Sequence, residues 1–129
     1  MKDHYLFTYG LLRKSAGHEM SDFLSNQAHF LGEAKYQGKL YLIDYYPGVV
    51  SSNDPKNQVV GDLFRLDDLS ILKVLDSFEG IGSQYAEPYE YQRKLQKVTC
   101  SDRWLDAWVY LYNLPLQEKN RILSGDFLN

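Results

Sequence analysis

What most constrains this chain is where its rings fall: side chains alternate with a period of two through several segments, and many of the alternating positions are aromatic. In residues 5–9, Tyr5, Phe7 and Tyr9 share one face while Leu6 and Thr8 share the other. Residues 89–100 place Tyr89, Tyr91, Arg93 and Leu95 on one side. Residues 104–112 set Trp104, Trp108, Tyr110 and Tyr112 against Leu105, Val109 and Leu111. A period of two is the geometry of a pleated strand whose two faces meet different surroundings. Residues 29–46, interrupted by Gly32 and Gly38, and residues 58–66 read as further strand. Half-buried strands account for most of the eleven Tyr, six Phe and two Trp. A cavity lined by a few tyrosine hydroxyls leaves the same trace.

Two stretches have helical spacing instead. From about Lys14 to Gln27, the residues Met20, Phe23 and Leu24 recur at intervals that share a helix face. Farther on, Asp67 suits an N-cap and Asp68 a first turn. Leu69, Leu72, Leu75 and Phe78 follow on one face, and Gly80 suits the position just past a helix C-terminus. Strands outnumber helices, so the expected class is α+β: a small mixed, mostly antiparallel sheet or barrel with flanking helices. A length of 129 residues, 44% of them hydrophobic, suits one core, and residues 1–129 are read as a single domain. No internal repeat or low-complexity linker divides them.

Charge narrows the function. Seventeen acidic and fourteen basic side chains, a net of -3, are spread without runs of like charge, which argues against nucleic acid or an anionic membrane as partner. No segment is apolar enough for a signal peptide or a membrane span, so the expected location is the cytoplasm. Cys100 has no second cysteine to pair with, and His4, His18 and His29 lack ligand spacing, so neither a disulfide nor a metal site is expected.

Chemistry has two candidate places. The first is the strand-to-turn junction Phe7-Thr8-Tyr9-Gly10-Leu11-Leu12-Arg13, where a glycine lets backbone approach a ligand and exposed amides ahead of a helix can receive a carboxylate or phosphate. Most such turns are structural. The second is Leu75-Asp76-Ser77-Phe78-Glu79-Gly80. Glu79 falls at a helix C-terminus, where unpaired carbonyls oppose a negative charge; with partial burial beside Phe78 its pKa should rise toward the range of a neutral-pH acid or base. A solvated glutamate at a frayed end is the commoner case for such a position. Gly80-Ile81-Gly82 lacks a dinucleotide fingerprint and reads as a loop, and Cys100 reads as a packed thiol. Arg93, near Tyr91, is placed to anchor the Glu79 loop, to meet a ligand carboxylate, or to form a surface ion pair.

Taken in order, these segments resemble the γ-glutamylcyclotransferase-like family, in particular its short bacterial branch. The opening Tyr-Gly-x-Leu is matched by Tyr9-Gly10-Leu11-Leu12, the Tyr-Pro-Gly stretch by Tyr46-Pro47-Gly48, and the Gly-x-Leu-Tyr strand by Gly61-Asp62-Leu63-Phe64. Leu-Asp-x-x-Glu-Gly is matched by Leu75 through Gly80, followed by Tyr91-Gln92-Arg93. The late elements resemble Ala107-Trp108-Val109-Tyr110 and Ser124-Gly125-Asp126-Phe127. Leu11 stands where many members carry Ser or Thr, and Phe64 replaces a tyrosine. The resemblance implies a cavity at one end of a small mixed barrel. In it the Tyr9–Leu12 loop holds a glutamyl α-carboxylate, Arg13, Tyr91 and Arg93 contribute to substrate binding, and Glu79 is the acid/base. The implied reaction, of transferase or lyase type, is attack of a γ-glutamyl α-amine on its own γ-carbonyl, releasing an amine and 5-oxoproline, with neither metal nor cofactor. A non-catalytic small-molecule binding protein using the same cavity is the alternative.

Overall fold

The computed structural model describes residues 3–128. The alternating segments form strands β1 (His4–Thr8), β2 (Ala28–Leu42), β3 (Pro47–Ser51), β4 (Gln58–Leu66), β5 (Tyr91–Cys100) and β6 (Arg103–Tyr112). Helix α1 (Glu19–Gln27) links β1 to β2, and α2 (Ile71–Phe78) lies between β4 and β5. Five strands run in the order β2-β4-β1-β6-β5, and the ring closes where Lys35 of β2 meets Thr99 of β5. The β1–β6 pairing, with Leu6 opposite Trp108, is parallel and the others are antiparallel. The result is the expected α+β class, in the form of a small closed mixed barrel with two helices. β3 lies outside the ring, paired to Gly38–Leu42 of β2.

Alternation sorts the side chains into two cores. Phe7, Tyr9, Ala34, Tyr36, Val59, Leu63, Val98, Ala107 and Val109 belong to one cluster, the barrel interior. The alternate residues Leu6, Phe64, Leu66, Tyr91 and Tyr110 join Leu24 of α1 and Ile71, Leu72 and Leu75 of α2 in the second, beneath the helices. A one-residue slip of β1 would exchange these faces, so the two cores together fix its register. Phe64, in place of a tyrosine, is fully buried with its ring edge-on to Phe30, a site with no need of a hydroxyl.

Several boundaries differ from those expected. α1 starts at Glu19, not near Lys14, because His18 caps it: the His18 Nδ1 accepts from the Met20 amide at 3.0 Å while the Ser21 hydroxyl accepts from the His18 amide. The strand expected to reach Tyr46 ends at Leu42, where the chain turns and returns as β3. Asp67 does not cap α2. Its carboxylate meets His29, and Asp68 accepts from the Ser70 amide at 2.9 Å ahead of the helix. At the other end the glycine expectation holds: Gly80 has φ +77°, its amide donates to the Ser77 carbonyl, and the Ile81 amide donates to the Asp76 carbonyl at 2.8 Å. This crossed pair of bonds is a Schellman cap and leaves Glu79 as the C-cap residue.

Candidate active site

Following β1 out of the barrel leads to a cavity of about 270 Å³. Its floor is the end of β1 and the loop through Gly10, Leu11 and Leu12. Its walls come from Tyr45, Tyr46 and Pro47, from the end of α2 with Phe78, Glu79 and Gly80, and from Tyr85, Glu90, Tyr91 and Tyr110. The two stretches singled out from sequence, some seventy positions apart in the chain, therefore face one space.

The loop is held from behind. Arg13 is buried and donates from Nη1 to Asp126 Oδ1 at 2.8 Å and from Nη2 to Asp62 Oδ1 at 3.3 Å. The other oxygen of Asp62 accepts from the Lys14 amide at 2.7 Å. A buried guanidinium shared between two carboxylates is a structural clamp, and Arg13 does not line the cavity. Gly10 is held from the side. A Cβ there would lie 2.6 Å from Pro47 Cγ, so the glycine is required by packing against the start of β3. Among the described residues, the amides of Gly10, Leu11 and Leu12 have no hydrogen-bond partner.

Lining the same cavity, the Glu79 carboxylate has no hydrogen bond or ion pair among the described residues. Burial first, and then the like charges of Glu90 and Asp76, push its carboxyl up to about 8. The residue keeps part of its surface open toward the cavity. One turn back, Asp76 has a cation of its own: Arg93 grips it with two parallel bonds of 2.7 and 3.0 Å while its plane lies over the Trp108 ring. Of the roles open to Arg93 in sequence, the structure gives it that of anchoring α2, and it too lies outside the cavity lining.

The tyrosines supply walls more than donors. A phenol has one proton to give. Tyr9 gives its own to the Tyr110 carbonyl at 2.5 Å, Tyr91 to the Pro47 carbonyl at 2.6 Å, Tyr110 to Asp76 at 2.8 Å and Tyr46 to Glu90 at 2.5 Å. Burial holds the Tyr9, Tyr91 and Tyr110 hydroxyls well above their ordinary pKa, so these protons stay in place. Among the described residues the donors left to a ligand are the loop amides and the hydroxyls of Thr8 and Tyr45, which line the cavity and have no hydrogen-bond partner. Sequence reasoning missed Glu90, Tyr46, Tyr45 and Tyr110 as parts of the site. Glu90 lies just ahead of the Tyr91-x-Arg93 stretch, but nothing in its local pattern signals that the start of β5 would bring it into the same cavity lining as Glu79.

Comparison with known proteins bears on the family and the fold. Residues 6–129 match the family model described as gamma-glutamyl cyclotransferase, AIG2-like. The chain is 31% identical over 125 residues, 96% of each chain, to the gamma-glutamylcyclotransferase family protein YtfP of Escherichia coli K12. In fold it is similar to an AIG2-like protein from Mus musculus, with TM-score 0.73 and 18% identity over 98% of this chain and 89% of that one. It also resembles YkqA from Bacillus subtilis, with TM-score 0.71 and 24% identity; 98% of this chain matches, and it spans 40% of YkqA. With the barrel, the Tyr9–Leu12 loop and Glu79 all falling within one continuous match, this chain belongs to the γ-glutamylcyclotransferase, AIG2-like family.

Proposed function

We propose that the chain is a cytoplasmic γ-glutamylcyclotransferase that cyclises a γ-glutamyl amine or amino acid to 5-oxoproline with release of the amine. The observation that carries this reading is the presence, in the lining of one cavity, of an unpartnered glutamate raised to about 8 and a row of unpartnered amides. Amino-acid head groups are dipolar. Their carboxylate suits the amides of Gly10, Leu11 and Leu12, and their ammonium suits the wall that holds Glu79 and Glu90.

In the proposed reaction the Glu79 carboxylate takes a proton from the α-ammonium, and the amine formed attacks the γ-carbonyl. A new C–N bond closes the five-membered ring, and the electron pair of the carbonyl moves onto oxygen. Collapse of that intermediate breaks the original C–N bond as Glu79 returns its proton to the departing nitrogen; the carboxylate so regenerated takes the second proton of the ring nitrogen, leaving the lactam N–H, and passes it to the released amine, which departs as an ammonium. Tethering supplies the nucleophile at high effective concentration, so a single acid/base and a few oriented donors suffice. Tyr9 and Tyr91 act here as walls, and Leu11 contributes its amide.

The test is release of 5-oxoproline, followed by mass spectrometry, from a panel of γ-glutamyl amines and amino acids, with wild type and Glu79→Gln side by side. Turnover in the first and its loss in the second supports the reading. Binding without turnover in the wild type would instead favour a small-molecule binding protein.

A further inference from the structure

A second cleft, of about 230 Å³, shares no lining residue with the first and has the opposite charge. Lys35 and Lys39 of β2, Lys56 of the β3–β4 loop and Arg121 line it, and no Asp or Glu does. Lys35 and Lys39 are four apart on a strand and so project from the same face. Among the described residues none of the three ammonium groups has an ion pair or hydrogen bond, although the chain carries more acidic than basic side chains. Of the four cations only Arg121 meets a carboxylate, and the three lysine charges gathered around a small space repel one another.

The wall between these cations is firmly built. Arg121 donates from Nη2 to Asn57 Oδ1 at 2.7 Å, its Nη1 lies 3.7 Å from Glu118 Oε1, and among the described residues its buried Nε has no partner. The turn from Ile122 to Gly125 is pressed against β4: the Val60 amide donates to the Gly125 carbonyl at 2.8 Å, and a Cβ on Gly125 would lie 2.1 Å from the Gln58 carbonyl oxygen. Among the described residues the Leu123 and Ser124 amides on this turn make no hydrogen bond. Fixed amides and convergent cations are the donors used to bind phosphate oxygens.

We propose that this cleft binds a phosphate-bearing anion. Its volume falls below the roughly 300–1,000 Å³ of pockets that enclose whole drug-sized ligands. It therefore takes a compact diphosphate, or the phosphate end of a larger molecule whose remainder stays in solvent. Several lysines around one space favour a multiply charged ion over a carboxylate, because each added negative charge is met by another ammonium.

The test uses the full-length protein in phosphate-free, low-salt buffer. Inorganic pyrophosphate, ADP and acetate are titrated separately by calorimetry, with amide chemical shifts recorded in parallel. Saturable pyrophosphate binding is expected, with shifts at Lys39, Lys56, Ser124 and Gly125, weakening as salt is raised. Lys39→Glu combined with Lys56→Glu should weaken it by about tenfold or more, since removing and reversing close charges acts directly on the bound anion. These side chains have no partner to lose, so the variant should melt as the wild type does. Tighter binding of ADP would identify a nucleotide as the source, and binding of pyrophosphate alone a free phosphate compound. No saturable binding, equal binding of acetate, or affinity unchanged in the double variant would overturn the proposal.

Discussion

Replacing Glu79 with Gln should make the protein more stable at alkaline pH while stopping turnover. In the folded protein the Glu79 carboxyl is raised from 4.5 to about 8, chiefly by burial. A carboxyl that holds its proton more tightly when folded contributes stability below its unfolded value of 4.5, and that contribution is lost as pH rises through 8. At about 1.4 kcal/mol for each tenfold change in proton affinity, that rise sets a ceiling of roughly 5 kcal/mol on the alkaline penalty. Water entering the open cavity lowers that ceiling, and about 2 kcal/mol is the working expectation. Glutamine has nothing to ionise. Its advantage should be near zero at pH 4, grow through pH 7 and level off at pH 9, where it should raise Tm by about 6–10 °C for a chain of this size. The assay is thermal unfolding of both proteins across that range, with kcat measured on the same samples. Loss of the acid/base should lower kcat by about 10²- to 10⁴-fold. A Tm difference that does not grow with pH would refute the burial argument, and an unchanged kcat would remove Glu79 from the chemistry.

Glu90→Gln removes a like charge that raises Glu79, so the alkaline rise of kcat/KM should move to lower pH; a profile at the wild-type position would show that Glu90 exerts no field on the site. Asp62→Asn leaves the buried Arg13 with a weaker partner and should cost about 3–5 kcal/mol in urea unfolding, with a loss near zero counting against the clamp. Gly10→Ala pushes a Cβ into the Pro47 ring and should cost about 1–3 kcal/mol, measurable as a lowered denaturation midpoint; full stability would mean the loop has room to move.

What the sequence disclosed about this fold follows from the range of the forces involved. Alternation is a local property, and it assigned Phe7 and Tyr9 to one face of β1 and Leu6 to the other, as the two cores require. The end of α2 was also legible, because a Schellman cap needs only a glycine in the right place. β3 was missed because five residues beginning with Pro47 carry too short a pattern to stand apart from β2. The two arginines show the limit most clearly. Each is a free cation in sequence, yet Arg13 is neutralised by Asp62 and Asp126, 49 and 113 positions away, and Arg93 by Asp76, 17 positions away. Only the closed barrel decides that those carboxylates, and not a ligand, receive them. For the same reason the matched motif could mark Glu79, while Glu90 and Tyr46 became visible only when β5 and the turn before β3 met at the cavity.

A base raised to about 8 is protonated in most molecules at pH 7, roughly nine in ten, which looks unsuited to accepting a proton. The substrate changes this. An α-ammonium brought beside Glu79 is an opposite charge in a poorly solvated space and favours the ionised carboxylate, reversing part of the shift that burial and Glu90 impose. Glu79 should therefore titrate near 8 in the free protein and lower once an ammonium is bound. L-norvaline, which has the α-ammonium and α-carboxylate but no γ-carbonyl, can bind without reacting, and pentanoate lacks the ammonium as well. Carbon-13 NMR of the Glu79 carboxyl would follow the titration under saturating amounts of each. The reading requires norvaline to move the midpoint to lower pH and pentanoate to leave it or raise it, because a second carboxylate adds to the negative field. Equal midpoints with the two ligands would mean that the ammonium does not sit against Glu79, and the proton transfer proposed for this site would have no geometry to support it.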